Sequence, residues 1–212
     1  MTKKLWPVRT SPLGRIVVPP FLPDGCSLFY TTLDFDGRIT PELIAMSGGA
    51  LATCNQVHGA NVVRAPASED CDALWTGERG KALGIKVADC LPVSLIDPDK
   101  HVIANIHSGW RGAVQNIVAR ALDHVSKGYA WLGPSIRVCC FEVGEEVAVQ
   151  FDAKYVDRSY AKPHVDLPAL TADVLKDFEV FDSGLCTRCD GSMFHSYRRD
   201  RTSGRNLAIV AQ

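Results

Sequence analysis

No stretch of this 212-residue chain approaches the roughly 20 consecutive apolar residues that a membrane-spanning helix requires. The basic opening, MTKK, is followed by Pro7, Pro12, Pro19 and Pro20, which interrupt each apolar run short of signal length. The reading from sequence is therefore a cytoplasmic protein. Charge of one sign is also missing: the net charge is −1 and no long basic stretch occurs, so neither nucleic acid nor an anionic membrane is an expected partner. A small molecule is. No repeat, low-complexity tract or composition break marks a linker. Histidine is scarce at six, too few for a centre of several coppers, which would call for on the order of ten imidazoles.

What is present is ordinary globular material, 46% apolar and 22% charged, enough for one core and one domain over 1–212. Eight cysteines in a chain of this size and compartment read as buried small hydrophobes, metal ligands or nucleophiles rather than a disulfide scaffold. Branched, short runs predict strands at 14–19, 26–33, 61–65, 82–88, 91–97, 101–107 and 206–211. DPDK at 97–100 is a turn that makes the runs on either side a hairpin, and the runs at 82–107 read as neighbours in one sheet. Apolar residues at helical spacing predict a helix from Gly112 to about Val125, followed by a strand in SIRVCC at 135–140. Helices are expected near 145–151 and 168–178. The pattern is mixed α+β without regular βαβ alternation.

Three motifs each place a metal-binding side chain beside glycine or a strand end: His58 in NQVHG, Cys90 in ADCLP and His107 in HSGWRG. One thiolate and two imidazoles would hold Zn²⁺ with a fourth position open, the catalytic rather than the structural arrangement. Each has a plainer alternative, since a buried cysteine commonly just packs and a histidine at a strand end commonly just hydrogen-bonds. Asp89 is a candidate acceptor for an imidazole. Trp110 is the tryptophan nearest a proposed ligand in sequence. The CTRC pair, Cys186 and Cys189, has half the spacing of a zinc knuckle, but Cys139 and Cys140 are adjacent and supply no second CxxC, which favours a reduced structural role.

In order along the chain, QVHG (56–59), DALWT (72–76), ADCLPV (88–93), HSGWRG (107–112), GPSI (133–136) and SYRRD with GR (196–200, 204–205) resemble the motifs of the bacterial YfiH-like proteins. These have long been labelled multicopper polyphenol oxidase or laccase-domain proteins and are now regarded as purine nucleoside phosphorylases with adenosine deaminase activity. The likeness is strongest over 54–210. It implies a layered fold with two mixed sheets packed between helices, shared with a cysteine-deamidase toxin domain. It also implies zinc on His58, Cys90 and His107, with copper as an alternative occupant. Upstream, Leu33 and Asp34 stand where the family carries an Arg and a Gly-Gly pair, and Gly48 and Gly49 do not restore that pattern. One wall of the pocket is therefore expected to differ.

The resemblance implies phosphorolysis of adenosine, inosine and methylthioadenosine, with phosphate as co-substrate, and hydrolytic deamination of adenosine. Arg111, Arg198, Arg199 and Arg205 are candidates for holding phosphate, their plainer reading being a solvated basic surface. Three other readings stay open: a metal-independent cysteine hydrolase, a copper-dependent phenol oxidase, and a non-catalytic metal or nucleoside binder. A monomer or weak homo-oligomer is expected.

Overall fold

The computed structural model describes residues 6–212; Met1 to Leu5, which carry the basic start of the sequence, lie outside the described residues. In chain order the strands are β1 (Val8–Ser11), β2 (Gly14–Val17), β3 (Ser27–Thr31), β4 (Ala50–Ala52), β5 (Val62–Arg64), β6 (Ala73–Thr76) and β7 (Lys81–Val87). They continue as β8 (Leu91–Asp97), β9 (Val102–Ser108), β10 (Gly128–Leu132), β11 (Val156–Asp157), β12 (His164–Val165), β13 (Phe178–Asp182) and β14 (Asn206–Ala211). The helices are α1 (Pro41–Met46), α2 (Trp110–Val114), α3 (Ile117–Ala121), α4 (Glu145–Ala148), α5 (Leu167–Val174) and α6 (Tyr197–Asp200).

Two six-stranded sheets form, ordered β1-β2-β3-β14-β7-β4 and β13-β10-β8-β9-β6-β5, with β11 and β12 as a separate pair. Both large sheets mix parallel and antiparallel pairs. Strand alternation divides the core. In β14, Leu207, Ile209 and Ala211 face α1 through Leu43, while Ala208 and Val210 meet Leu74, Ile96, Ile103 and Trp131 of the second sheet. The second sheet's other face, with Val93, Leu95 and Ile106, packs on Ile117, Val118 and Leu167. The layers therefore run helix, sheet, sheet, helices, as the resemblance implied.

Asn105 ties the sheets together. Its buried side-chain N–H groups donate to the carbonyls of Leu83 and Ala208 in the first sheet, both at 2.9 Å, and its oxygen accepts from Ser94 Oγ at 3.0 Å. Every polar atom of a buried amide is thus used, which offsets the cost of removing it from water.

Three expectations change. The runs at 82–107 are not one sheet: β7 pairs with β14 and β4, and the chain crosses to the second sheet before β8. The crossover turns at Asp89, which has φ of 91°. The helix opening near Gly112 is broken into α2 and α3 because Asn116 adopts a left-handed φ of 61°, a conformation asparagine tolerates better than most residues. Its apolar positions still face one way, with Ala113, Ile117, Val118, Ala121 and Val125 buried. The strand expected in SIRVCC is earlier, at Gly128–Leu132, paired with β8 on one side and β13 on the other. Gly128, with φ of 116°, lets the carbonyl of Ile96 approach where a Cβ would collide. Residues 137–140 instead turn, with Cys140 N–H donating to the Arg137 carbonyl at 2.8 Å.

Candidate metal centre

His107 is the penultimate residue of β9, a strand buried along nearly its whole length, and is 3% exposed. Cys90 occupies the crossover between sheets, immediately before β8, where Pro92 and His107 are cross-strand partners. His58 lies in the loop between β4 and β5 and is exposed. These side chains, 49 residues apart at the extremes, converge so that one ligand atom from each lies within 4.8 Å of the others. The two imidazole rings stand edge to face, 4.8 Å between centroids.

Asp72, the first residue of DALWT, organises the cluster. Its buried carboxylate accepts from the backbone N–H groups of Val57 at 3.2 Å, His58 at 2.9 Å and Gly59 at 2.7 Å. Its Oδ1 also accepts from His107 Nδ1 at 2.6 Å, which leaves Nε2 for the cluster. His58 therefore bends into a left-handed φ of 60°, rare for a side chain of this size and sustained here by the three donors around one carboxylate. Asp89 lies elsewhere than the candidate role assumed: its carboxylate accepts from Thr187 Oγ1 at 2.7 Å and Arg198 N–H at 2.6 Å. It anchors the Cys90 turn and leaves the orienting of His107 to Asp72.

Glycines make room. A Cβ on Gly109 would stand 3.1 Å from Cys90 Sγ and 3.5 Å from His58 Cδ2, and one on Gly112 would meet the Gly59 carbonyl at 2.8 Å. The start of α2 can therefore press against the His58 loop. Gln56 pins the same loop to β7 by a two-way amide pairing with the Lys86 backbone, both bonds 2.8 Å.

The electrostatics follow from packing. Burial works to raise the Cys90 thiol, but hydrogen bonding and charge from His107 and His58 outweigh it and bring the pKa down to about 6. Burial works to lower His107, but Asp72 and Cys90 push it up to about 9. Burial also opposes ionisation of Asp72, and the His107 and backbone donors overcome this to hold it below the usual carboxylate range. The packing thus favours the ionised forms of both partners, thiolate and imidazolium. The donor set fits Zn²⁺: one thiolate, two imidazoles, an oriented outer carboxylate and a glycine cradle against the sulfur.

The three residues open into a cavity of about 460 Å³, within the range of small-molecule sites. Cys54, Asn55 and Gln56 form one wall and Lys86 and Ala88 another; Tyr197 of α6 and Arg205, just before β14, complete it. Among the described residues two permanent cations and no carboxylate line this space. Of the four candidate arginines the cavity includes Arg205 alone. Arg111 is exposed, its guanidinium 4.6 Å from the centre of the Trp110 ring. Arg198 donates to the Glu142 carbonyl at 2.7 Å, and Arg199 is spent on Asp200 and the carbonyls of Thr187 and Phe194. Trp110 packs on the core beneath the helices, and the aromatic ring at the cavity is Tyr197. Asp72, Lys86 and Tyr197 were not singled out from sequence; Asp72 and Tyr197 stand inside the motifs DALWT and SYRRD, whereas Lys86 carries no such signal.

Residues 38–212 match the family model described as multi-copper polyphenol oxidoreductase laccase. A Deinococcus radiodurans protein named purine nucleoside phosphorylase is 37% identical over 174 residues, covering 75% of this chain and 69% of the relative. A Streptomyces coelicolor protein of the same name is 37% identical over 203 residues, covering 84% of each. A prokaryotic protein named adenosine deaminase is 34% identical over 165 residues, covering 68% of this chain and 63% of its own length. The crystal structure of a Neisseria meningitidis protein superposes with a TM-score of 0.80 at 23% identity, over 98% of this chain and 99% of that one, which establishes the shared fold. By its motifs, its architecture and this match over most of its length, the chain belongs to the multi-copper polyphenol oxidoreductase laccase family.

Proposed function

We propose that this chain is a metal-dependent purine nucleoside phosphorylase, acting on adenosine, inosine or methylthioadenosine with phosphate as co-substrate. The observation that carries the reading is the union, in one cavity, of a Cys-His-His donor set with two cations and no competing carboxylate. The names of the relatives support the same chemistry.

In phosphorolysis a phosphate oxygen forms a bond to the anomeric carbon, the glycosidic C–N electron pair leaves with the purine, and the purine takes up a proton. Lys86 and Arg205 supply the fixed positive charge that holds phosphate, and the absence of a carboxylate keeps that charge unneutralised. Tyr197 offers an aromatic face for the base. His58, Cys90 and His107 would hold zinc, which when bound supplies Lewis-acid polarisation of an oxygen at its remaining coordination position. Asp72 keeps His107 in the tautomer that presents Nε2. Deamination of adenosine, the activity in one relative's name, would use the same cavity with water in place of phosphate.

Incubating metal-assayed protein with adenosine, with and without phosphate, tests this. Adenine and ribose 1-phosphate are expected only with phosphate, inosine marks deamination, and His107→Ala should lose zinc and turnover together. Undiminished turnover after complete metal removal would sink the reading. That result would favour instead a cysteine hydrolase, for which the closeness of Cys90 to His107 and His58 is the supporting observation. Oxidation of phenols by several coppers has less support, since the cluster contains two histidines.

A further inference from the structure

Away from the cavity, two turns bring four cysteines to one point. Cys139 and Cys140 come from the turn after β10, and Cys186 and Cys189 from the turn after β13; all four sulfurs lie within 4.8 Å of one another. Cys139 Sγ is 3.7 Å from Cys140 Sγ and 3.8 Å from Cys189 Sγ, and Cys140 Sγ is 3.4 Å from Cys189 Sγ. Four sulfurs bonded at about 2.3 Å to one tetrahedral ion are separated from each other by about 3.8 Å. The adjacency of Cys139 and Cys140, which in sequence argued against a second zinc half-site, is overcome by the turn that closes at Cys140 N–H to the Arg137 carbonyl.

The geometry points to a second, closed metal site in which Cys139, Cys140, Cys186 and Cys189 bind Zn²⁺ as a tetrathiolate. Apolar packing does not account for the arrangement, because Cys139 and Cys189 are exposed while only Cys140 and Cys186 are buried. The surroundings are those a metal thiolate uses. The backbone amides of Cys189, Arg137 and Arg188 lie around the Cys186 sulfur, and such donors stabilise sulfur-borne charge. Four thiolates around Zn²⁺ carry a net charge of about −2, and the guanidinium of Arg199 lies against the same turn through the Thr187 and Arg188 carbonyls. With four sulfur ligands the ion has no position for substrate, so its role is structural.

That role reaches the cavity. Ser135 bridges to Cys186 in parallel register, with Thr187 N–H donating to the Ser135 carbonyl at 3.0 Å. Thr187 Oγ1 and Ile136 N–H then hold the side chain and carbonyl of Asp89, at 2.7 and 2.8 Å, and Asp89 precedes Cys90. Zinc in the thiolate cluster would lock the two turns whose residues fix the Cys90 crossover.

The test is zinc content and X-ray absorption of protein purified without chelator. Wild type should hold two zinc ions per chain, and the triple variant His58→Ala, Cys90→Ala, His107→Ala should hold one, with four sulfur neighbours near 2.3 Å and no nitrogen. Cys189→Ser, at an exposed position, should remove or weaken that remaining ion while the variant still folds by circular dichroism. The proposal is overturned if the triple variant retains no zinc, binds iron in its place, contains a disulfide among the four cysteines, or leaves all four thiols open to rapid alkylation. Two zinc ions in the triple variant would refute the cavity site instead, so the two readings fail separately.

Discussion

At the cavity one thiol meets two imidazoles and a carboxylate from outside, and the cluster faces open space; at the two turns four thiols meet one another. The difference lies in charge preparation as well as shape. Beside cationic His107, Cys90 is lowered to about 6. Among other thiols, Cys189 is raised to about 11 by hydrogen bonding of its thiol with Cys140 and Cys186, and Cys139 is raised by burial and by Cys140. A site made for exchange has its sulfur ionised in advance, whereas the four-thiol site holds Cys139 and Cys189 protonated until the metal arrives.

The sharpest way to break this comparison is pH. In metal-free protein, between about pH 6 and 9, Cys90 is already thiolate and His107 still carries its proton, so zinc entering the cavity must displace one proton there. Zinc affinity at that site should therefore rise with pH by roughly tenfold per unit over this window and flatten above it. The thiolate cluster, with at least two protonated sulfurs, should rise more steeply. Competition titrations on the triple variant and on Cys189→Ser separate the slopes; equal slopes would remove the distinction.

A smaller effect is expected at Asp72. Asp72→Asn keeps the size but loses the negative charge opposite His107, and should weaken cavity zinc by about 10- to 100-fold, the usual cost of an outer carboxylate. Zinc in the thiolate cluster should not change, because no bond links it to Asp72. Smallest is Arg205→Ala, which removes one of two cations from the cavity and should raise the KM for phosphate by about tenfold, consistent with loss of one charge-assisted contact of 1 to 2 kcal/mol. Its zinc content should match wild type. Initial rates across a phosphate series check this, and an unchanged KM would leave Lys86 as the phosphate cation.

The elements that sequence made legible are those with an unambiguous period. The apolar run NLAIVA anticipates β14, and the branched runs around DPDK anticipate the β8–β9 hairpin, because burial on both faces leaves its mark residue by residue. SIRVCC misled for the same reason: its branched residues suit a strand, but Gly128–Leu132 had already filled the slot between β8 and β13. Asp72 was visible within DALWT and still went unassigned, since Asp89 stands next to Cys90 in the chain and Asp72 does not. Adjacency along the backbone is a poor guide where a φ of 91° at Asp89 turns its side chain toward Thr187.

By itself, then, the sequence determined which residue types were on hand for a thiolate and imidazole centre, the strand that carries His107 and the absence of a long apolar span. Only the tertiary structure decided that His58 and His107 share one carboxylate, that Arg205 rather than Arg111, Arg198 or Arg199 reaches the cavity, and that two cysteine pairs 46 residues apart meet. Local periodicity records how a residue faces its own strand or helix. Convergence of distant side chains depends on how two sheets and their crossovers are stacked, and no short window of sequence contains that information.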